Sequence, residues 1–242
     1  MFYRKYLLPV QFDLTHVAIL KQGLHNVIPD VTLITLKSLS NHLLINLIVM
    51  KKSFFSGVTA LVLTLAFSSP LSGAELDKSL IHAHWFFAAH RQQGQKLMPI
   101  QGGPRPVFKG RVQFLMDPIP PRVELSGGGE RLILSDGPAD ANLPQGPFAI
   151  ETWVRMDGPS ERGGIIGAIQ HDPDIEAGWI LGYREDRFCF GLASEAQAKL
   201  TYLESQASFV PGKWYHVVGN YSGSSMELWV DGARVAQSHI QQ

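Results

Sequence analysis

Short runs of alternating apolar and polar residues, rich in aromatic and β-branched side chains, make up most of the chain after residue 80. The clearest runs are residues 148–155, 214–218 and 226–230, and each is bounded by Gly, Pro or Asp. This pattern is typical of half-buried antiparallel strands. No run after Ala74 has the period of a helix, so the pattern predicts an all-β fold of the sandwich or jelly-roll type.

Two hairpins follow from the turn chemistry between these runs. Asp231-Gly232 comes directly after residues 226–230, and Asp-Gly is a strong signal for a two-residue hairpin turn. Residues 179–183 and 187–192 are separated by a short charged turn that contains Glu185. We therefore expect each pair of runs to be neighbouring antiparallel strands.

An export signal is predicted inside the chain rather than at its first residue. Met50 is followed by two lysines, by the apolar residues 54–67, and by small residues at the −3 and −1 positions, Ser72 and Ala74. These features predict a secretory signal peptide over residues 50–74 that is cleaved after Ala74. The apolar run is shorter than the ~20 residues of a membrane-spanning helix. The predicted location is therefore secreted or periplasmic, in a bacterium.

Residues 1–49 have no clear period and no helix caps. Because export signals are recognised at the extreme N-terminus, we expect Met50 to be the true start. Residues 1–49 are then an upstream extension that is unstructured or spurious. The alternative is a genuine extension that turns the apolar run into a signal anchor. The folded domain is expected to cover residues 80–242.

Composition excludes several function classes. The 21 basic residues balance the 21 acidic ones, so there is no electrostatic case for binding nucleic acid or an anionic membrane surface. Cys189 is the single cysteine, so no intrachain disulfide can form. Its apolar neighbours predict that it is a small buried hydrophobe.

The order of the strands resembles a known family. The sequence reads F-x-I-E-T-W-V from Phe148, G-K-W-Y-H-V-V from Gly212 and L-W-V-D-G from Leu228. This order resembles the laminin-G-like branch of the concanavalin A-like lectin/glucanase superfamily. The resemblance implies an antiparallel two-sheet jelly roll and a secreted, non-catalytic recognition module. The implied partners are a glycan or an extracellular protein, with no nucleic acid and no stable membrane span after signal cleavage.

The resemblance also carries an expectation about the C-terminus. Members of the family continue to a closing strand that lies beside the first strand, and no such segment precedes Gln242. We therefore expect an incomplete domain in which residues 80–87 lack their partner and Trp85 and Phe87 are exposed. The alternative function is an N-terminal accessory domain of a larger secreted hydrolase, such as a metallophosphoesterase or sulfatase. Its catalytic part would lie beyond Gln242.

Catalysis by the residues present is not predicted. A retaining glycosidase needs two carboxylates about 5 Å apart, and residues two apart on a strand would supply them. Glu151 stands alone on its strand, and Glu227 and Asp231 are four residues apart. The chain is therefore expected not to be an enzyme in the part seen.

Two groups of residues are candidates for metal binding. His82 and His84 share one face of a predicted edge strand, with His90 nearby, although two ordinary histidines are the better explanation of this pattern. Asp172, Asp174 and Glu176 form an acidic loop with enough oxygen atoms for calcium. Calcium is the one cofactor that the sequence suggests.

Aromatic residues supply the candidates for ligand binding, because lectin-like sites stack aromatic rings against sugars. Trp179, Tyr183 and Tyr215 are the predicted ligand-binding residues, with Trp214 a further aromatic candidate. For any one of these aromatic residues, packing in the core is the favoured alternative. Residues 153, 214 and 229 are tryptophans at positions that are core in the family pattern, so the resemblance implies that they are buried.

Overall fold

The structure is a computed structural model that describes residues 12–20, 78–115, 121–134, 146–171, 176–193 and 199–239. Most of these residues lie in strands, and their helical turns are two short 3-10 segments, Lys78–Leu80 and Ala89–Arg91. No α-helix is present in the described ranges. The all-β prediction is confirmed.

The strands are numbered along the chain. They are β1 (Phe12–Leu20), β2 (Ile81–Phe86), β3 (Gln92–Gln93), β4 (Lys96–Leu97), β5 (Gln101–Gly102), β6 (Val107–Lys109), β7 (Gln113–Leu115), β8 (Arg122–Leu125), β9 (Arg131–Ile133), β10 (Phe148–Met156), β11 (Ser160–His171), β12 (Glu176–Glu185), β13 (Arg187–Ala193), β14 (Thr201–Glu204), β15 (Trp214–Tyr221), β16 (Met226–Val230) and β17 (Ala233–Ser238).

Two antiparallel sheets form the body of the domain. The larger sheet has nine strands, in the order β17-β16-β15-β10-β1-β2-β5, with β8 also paired to β1 and β7 paired to β8. The second sheet has four strands in the order β11-β12-β13-β14. A small third sheet, β3-β4-β6-β9, was not predicted. Its strands are two or three residues long.

The core lies between the two main sheets, where aromatic side chains of both meet. The Phe148 ring of β10 lies 6.3 Å from that of Phe190 in β13, edge to face, and 5.7 Å from that of Trp179 in β12. Gly219 of β15 allows Phe190 to approach, because a Cβ at this glycine would lie 2.6 Å from the phenyl ring. Cys189 is 2% exposed, which confirms the prediction that it is buried.

β1 comes from residues 1–49, for which an unstructured or spurious extension is expected from the sequence. It lies between β10 and β2 and is antiparallel to both. The register shifts between Leu14 and His16, so that Leu14, Val17 and Ile19 become partners of Val154, Thr152 and Ile150. Such a bulge adds one residue to the strand, so the alternation of inward and outward side chains is interrupted within β1. The strand is therefore hard to recognise from the sequence. For residues 12–20, the expectation of an unstructured segment is wrong.

The pairing of β2 corrects two further expectations. β2 was predicted to be an edge strand without its partner, but β1 lies on one side of it and β5 on the other. Trp85 is 1% exposed and Phe87 is 4% exposed, so the predicted exposure of these side chains is wrong. The Trp85 indole also donates a hydrogen bond of 3.0 Å to the carbonyl oxygen of Pro104.

Both predicted hairpins are present. β16 and β17 are joined at Asp231-Gly232, whose φ angles are +50° and +79°. Positive φ at both central residues defines a type I′ turn, and Asp and Gly tolerate it better than other residues do. β12 and β13 pair around the turn that contains Glu185.

The predicted signal segment, residues 50–74, lies outside the described residues. Within the ranges that the structure describes, no helix has the length and apolar character needed to cross a bilayer.

Candidate recognition face

The three aromatic residues that the sequence favoured for ligand binding all lie in the core. Trp179 is 7% exposed, Tyr183 is 1% exposed and Tyr215 is 6% exposed. The Tyr215 hydroxyl accepts a hydrogen bond of 2.8 Å from the backbone N–H of Val210. A Cβ at Gly163 would overlap the Tyr183 hydroxyl, so Tyr183 is also closely packed. These three rings are therefore core side chains and are not exposed for stacking on a ligand.

Trp153, Trp214 and Trp229 have the opposite placement. All three are half-buried, and they are not among the side chains that form the core between the two sheets. Their strand neighbours Val154, Tyr215 and Leu228 are in that core. Because successive side chains on a strand point to opposite faces, the three tryptophans lie on the outer face of the nine-stranded sheet. The core position implied for them by the family pattern is wrong.

We call this surface the tryptophan face. It consists of the outward side chains of β10, β15, β16 and β17: Glu151, Trp153, Arg155, Trp214, His216, Asn220, Glu227, Trp229 and Arg234, with Asp157, Lys213 and Asp231 at its margin.

Strand register places these side chains beside one another. Across β10 and β15, Trp153 is the partner of His216 and Arg155 is the partner of Trp214. Across β15 and β16, Asn220 is the partner of Glu227. Directly opposed side chains on one face have Cβ atoms about 5 Å apart, which is contact distance.

Trp153 is part of a cluster at the centre of the face. Its ring stacks on the His216 imidazole at 5.4 Å, with 28° between the ring planes. The His216 Nε2 lies 3.3 Å from the Glu151 Oε2. The backbone N–H of His216 donates a 3.0 Å hydrogen bond to the Asp231 Oδ1. The imidazole is therefore held between the Trp153 ring and the Glu151 carboxylate, and the hairpin turn is hydrogen-bonded to the backbone of β15.

The guanidinium group of Arg155 lies over the ring of Trp214. The guanidinium carbon of Arg155 lies 6.0 Å from the centre of the Trp214 ring, within the range of a cation–π interaction. The Arg155 Nε also lies 3.5 Å from the Asp157 Oδ1. The arginine thus contacts an aromatic face and a carboxylate at the same time.

Trp229 is held by a buried carboxylate. Glu227 is fully buried, and its Oε2 accepts hydrogen bonds from the Trp229 Nε1 at 3.1 Å and from the Asn220 Nδ2 at 2.9 Å. Its Oε1 accepts a third, of 2.8 Å, from Arg234. The guanidinium carbon of Arg234 lies 5.8 Å from the centre of the Trp229 ring. Glu227 therefore fixes the positions of Trp229 and Arg234 together.

His84 lies on the same outer side of the sheet, on β2. It is half-buried and alternates with Ala83 and Trp85, which are in the core. Burial lowers the pKa of His84 below its ordinary value of 6.5, and the attraction of Glu151 opposes this effect only in part. His84 is therefore biased towards the neutral form.

The metal candidates do not form a site in the described part of the chain. His82 and His84 share a face as predicted, but His90 is exposed in a 3-10 turn. Asp172 and Asp174 lie outside the described residues, and the side chain of Glu176 does too. Among the described residues, no group of three or more His, Cys, Asp or Glu could hold a metal ion. The calcium site stays a prediction.

A cavity of about 470 Å³ lies elsewhere, near the turn between β12 and β13. Its lining is entirely charged: Glu161, Arg162, Arg184, Glu185, Arg187 and Glu204. Arg184 and Glu204 form an ion pair of 2.6 Å across it. The mixed charges and the lack of an aromatic wall make it a weaker candidate than the tryptophan face.

Comparison with known proteins agrees with the fold. Residues 127–242 match the family model Laminin_G_3, described as the concanavalin A-like lectin/glucanases superfamily. Two similar proteins are pappalysin-1 of Mus musculus, 31% identical over 135 residues, and pappalysin-1 of Homo sapiens, 30% identical over 135 residues. Each alignment covers 50% of this chain and 8% of the relative. The resemblance seen in the sequence is confirmed, and domains of this type are generally non-catalytic binding modules.

Proposed function

We propose that this chain is a secreted, non-catalytic recognition module that binds a glycan through the tryptophan face. The observation that carries the proposal is the placement of Trp153, Trp214 and Trp229 on one outward sheet face. Half-exposed indoles surrounded by polar groups are the usual elements of a sugar-binding surface, because the rings stack and the polar groups bind hydroxyls.

The rigidity of the face supports the proposal. Trp153 is stacked on His216, and the Trp229 indole is hydrogen-bonded to a buried carboxylate. A side chain that is already ordered loses little conformational entropy when a ligand binds, so more of the contact energy appears as affinity. The face is therefore organised before a ligand arrives.

The carboxylates Glu151 and Glu227 of the tryptophan face contact neighbouring side chains of the protein and are not arranged as the catalytic pair of a glycosidase. Glu227 is fully buried beneath Trp229 and Arg234 and accepts three hydrogen bonds. Glu151 lies against His216. A glycosidase needs two carboxyl groups that both reach the scissile bond. A carboxylate without solvent access does not meet that requirement, which supports a binding role.

Alanine substitutions of the three tryptophans test the proposal. Binding of the full chain is first screened on a glycan array, and the affinity for a bound glycan is then measured by calorimetry. Each variant, Trp153→Ala, Trp214→Ala and Trp229→Ala, should weaken binding at least about tenfold. Tyr202→Ala is the matched control, because Tyr202 is 40% exposed on the other sheet. Equal losses in the control and in the tryptophan variants, or binding that none of them affects, would contradict the proposal.

A second candidate is an accessory domain within a larger secreted hydrolase. It is supported by the pappalysin-1 alignments, which cover 8% of each relative, so a domain of this kind also occurs as a small part of a much longer chain. The reading frame beyond the codon for Gln242 tests it. Metal-binding motifs of a phosphoesterase or sulfatase there would favour this alternative over a simple binder.

Export can be tested independently. Sequencing of the mature N-terminus should find Glu75 if the signal is cleaved after Ala74. Such a protein would lack β1, since residues 12–20 precede the cleavage point. A mature chain that retains residues 12–20 would instead contradict the cleavage prediction.

A further inference from the structure

The tryptophan face has three permanent cations, Arg155, Arg234 and Lys213, and each has an acidic partner on the same face. The nitrogen-to-oxygen distances are 3.5 Å for Arg155–Asp157, 2.8 Å for Arg234–Glu227 and 3.3 Å for Lys213–Asp231. The pairs cover the face from β10 to β17. Opposite charges this close cancel at longer range, so the face presents little net potential to an approaching molecule.

The two arginines are also committed to structural contacts. Arg234 neutralises Glu227, whose side chain is fully buried, while its guanidinium lies over Trp229. Moving Arg234 to an external anion would leave the buried carboxylate without its cation, which is a costly arrangement. An anionic ligand would therefore have to compete with the protein's own acids for these arginines.

The exposed polar atoms suit hydroxyl groups instead. The Glu151 side chain is 24% exposed and can accept hydrogen bonds, whereas the Arg234 side chain is 43% exposed and can donate them. A hydroxyl group both donates and accepts, so one sugar can use both kinds of partner. Neither contact requires a charge on the ligand.

The spacing of the tryptophans indicates the length of the ligand. Trp229 is the register partner of Val218, which is four residues beyond Trp214 on β15. With strand geometry this places the Cα atoms of Trp214 and Trp229 about 14 Å apart. A single sugar ring cannot contact both indoles, so an oligosaccharide is required to span the face.

We propose that the ligand class of the tryptophan face is an uncharged oligosaccharide, and not a sulfated or uronic-acid glycan. This inference rests on the proposed function and adds the charge and the length of the ligand. The internal ion pairs hold the tryptophans in place and remove the attraction for polyanions.

The test compares neutral and acidic glycans at two salt concentrations. The neutral panel consists of cello-, laminari-, xylo- and mannohexaose, and the acidic panel consists of heparin, chondroitin sulfate and polygalacturonate. At least one neutral hexasaccharide should bind to the full chain, with an affinity that changes by less than about twofold between about 0.05 M and about 0.5 M NaCl. The corresponding monosaccharide should bind much more weakly.

Asp157→Asn provides a matched positive control. It removes an acidic partner of Arg155 and keeps Trp153, Trp214 and Trp229, so heparin should bind more tightly to the variant than to the unmodified chain. Acidic glycans that bind to the unmodified chain, with affinity lost in salt and in Trp229→Ala, would overturn the charge inference and leave the recognition function standing. Binding of neither panel would overturn both the inference and the proposed function.

Discussion

The buried pair Glu227–Arg234 gives the sharpest stability prediction. Arg234→Gln removes the cation from a carboxylate that is fully buried and keeps its hydrogen bonds to Asn220 and Trp229. Breaking a buried ion pair on one side costs about 3–5 kcal/mol. The Arg234 side chain is 43% exposed, so water can replace part of the interaction, and we expect a loss of about 2–3 kcal/mol.

The assays are urea unfolding and thermal unfolding, both followed by tryptophan fluorescence. For a domain of this size, a loss of about 2–3 kcal/mol corresponds to a fall in melting temperature of about 5–10 °C. Arg187→Gln is the matched control, because Arg187 pairs with Asp186 at 3.9 Å and both side chains are nearly half exposed. Such surface pairs contribute about 0–1 kcal/mol, so the control should unfold almost like the unmodified chain.

A double-mutant cycle tests the mechanism. Glu227→Gln removes the buried charge and keeps an oxygen that can accept hydrogen bonds from Asn220 and Trp229, so it should cost about 1–2 kcal/mol. Glu227→Gln combined with Arg234→Gln should cost less than the sum of the single changes, by about 1–2 kcal/mol. Additive losses, or an Arg234→Gln variant as stable as the Arg187→Gln control, would refute the argument.

Three further predictions concern groups outside this pair. Burial lowers the pKa of His84 below 6.5, so the folded state binds the proton less readily than the unfolded state does. Stability should therefore fall as the pH drops from about 8 to about 5, and His84→Gln should reduce this loss in melting experiments. Burial raises the pKa of Cys189 to about 12, so a thiol reagent at neutral pH should modify it only after unfolding, as mass spectrometry can show. Gly219→Ala should cost about 1–3 kcal/mol in urea unfolding, because the new Cβ would lie 2.6 Å from the Phe190 ring, whereas Gly146→Ala, with no atom within 4 Å, should cost far less.

Local pattern was sufficient to predict the long strands β10, β12, β13, β15 and β16 and the two hairpins. The alternation of Phe148, Ile150 and Val154 defines the core side of β10, and Asp231-Gly232 fixes the turn before β17. These signals depend on residues close together in sequence. They were therefore readable without knowing which strands become neighbours.

The tryptophan face was not predicted, although part of its signal is present in the sequence. The alternation that places Val154 in the core also places Trp153 on the opposite side of β10, next to Arg155 in the outward row. The family pattern implies a core position for the tryptophans, and this alternation contradicts it. Trp179 and Tyr183 lie on β12, and the nine-stranded sheet covers their side chains in the core. The local sequence around them does not indicate which sheet packs against this strand.

Other features depend on contacts between distant residues. Glu151 and His216 are 65 residues apart in the sequence, and their contact exists only because β10 and β15 are neighbours in register. The insertion of β1 between β10 and β2 likewise joins segments separated by a long stretch of chain. Neither pairing has a short-range signal, because register is set by the whole sheet.

A single measurement tests the tryptophan face most directly, because the chain has five tryptophans and the structure divides them clearly. Trp153, Trp214 and Trp229 are half-buried on the outer face, whereas Trp85 and Trp179 are 1% and 7% exposed in the core. Indole N–H signals of ¹⁵N-labelled protein are followed by NMR during titration with the neutral hexasaccharide that binds best. The three signals of the face should shift together while those of Trp85 and Trp179 stay fixed. Shifts confined to the two core indoles, or no indole shift at saturating glycan, would contradict recognition through this face.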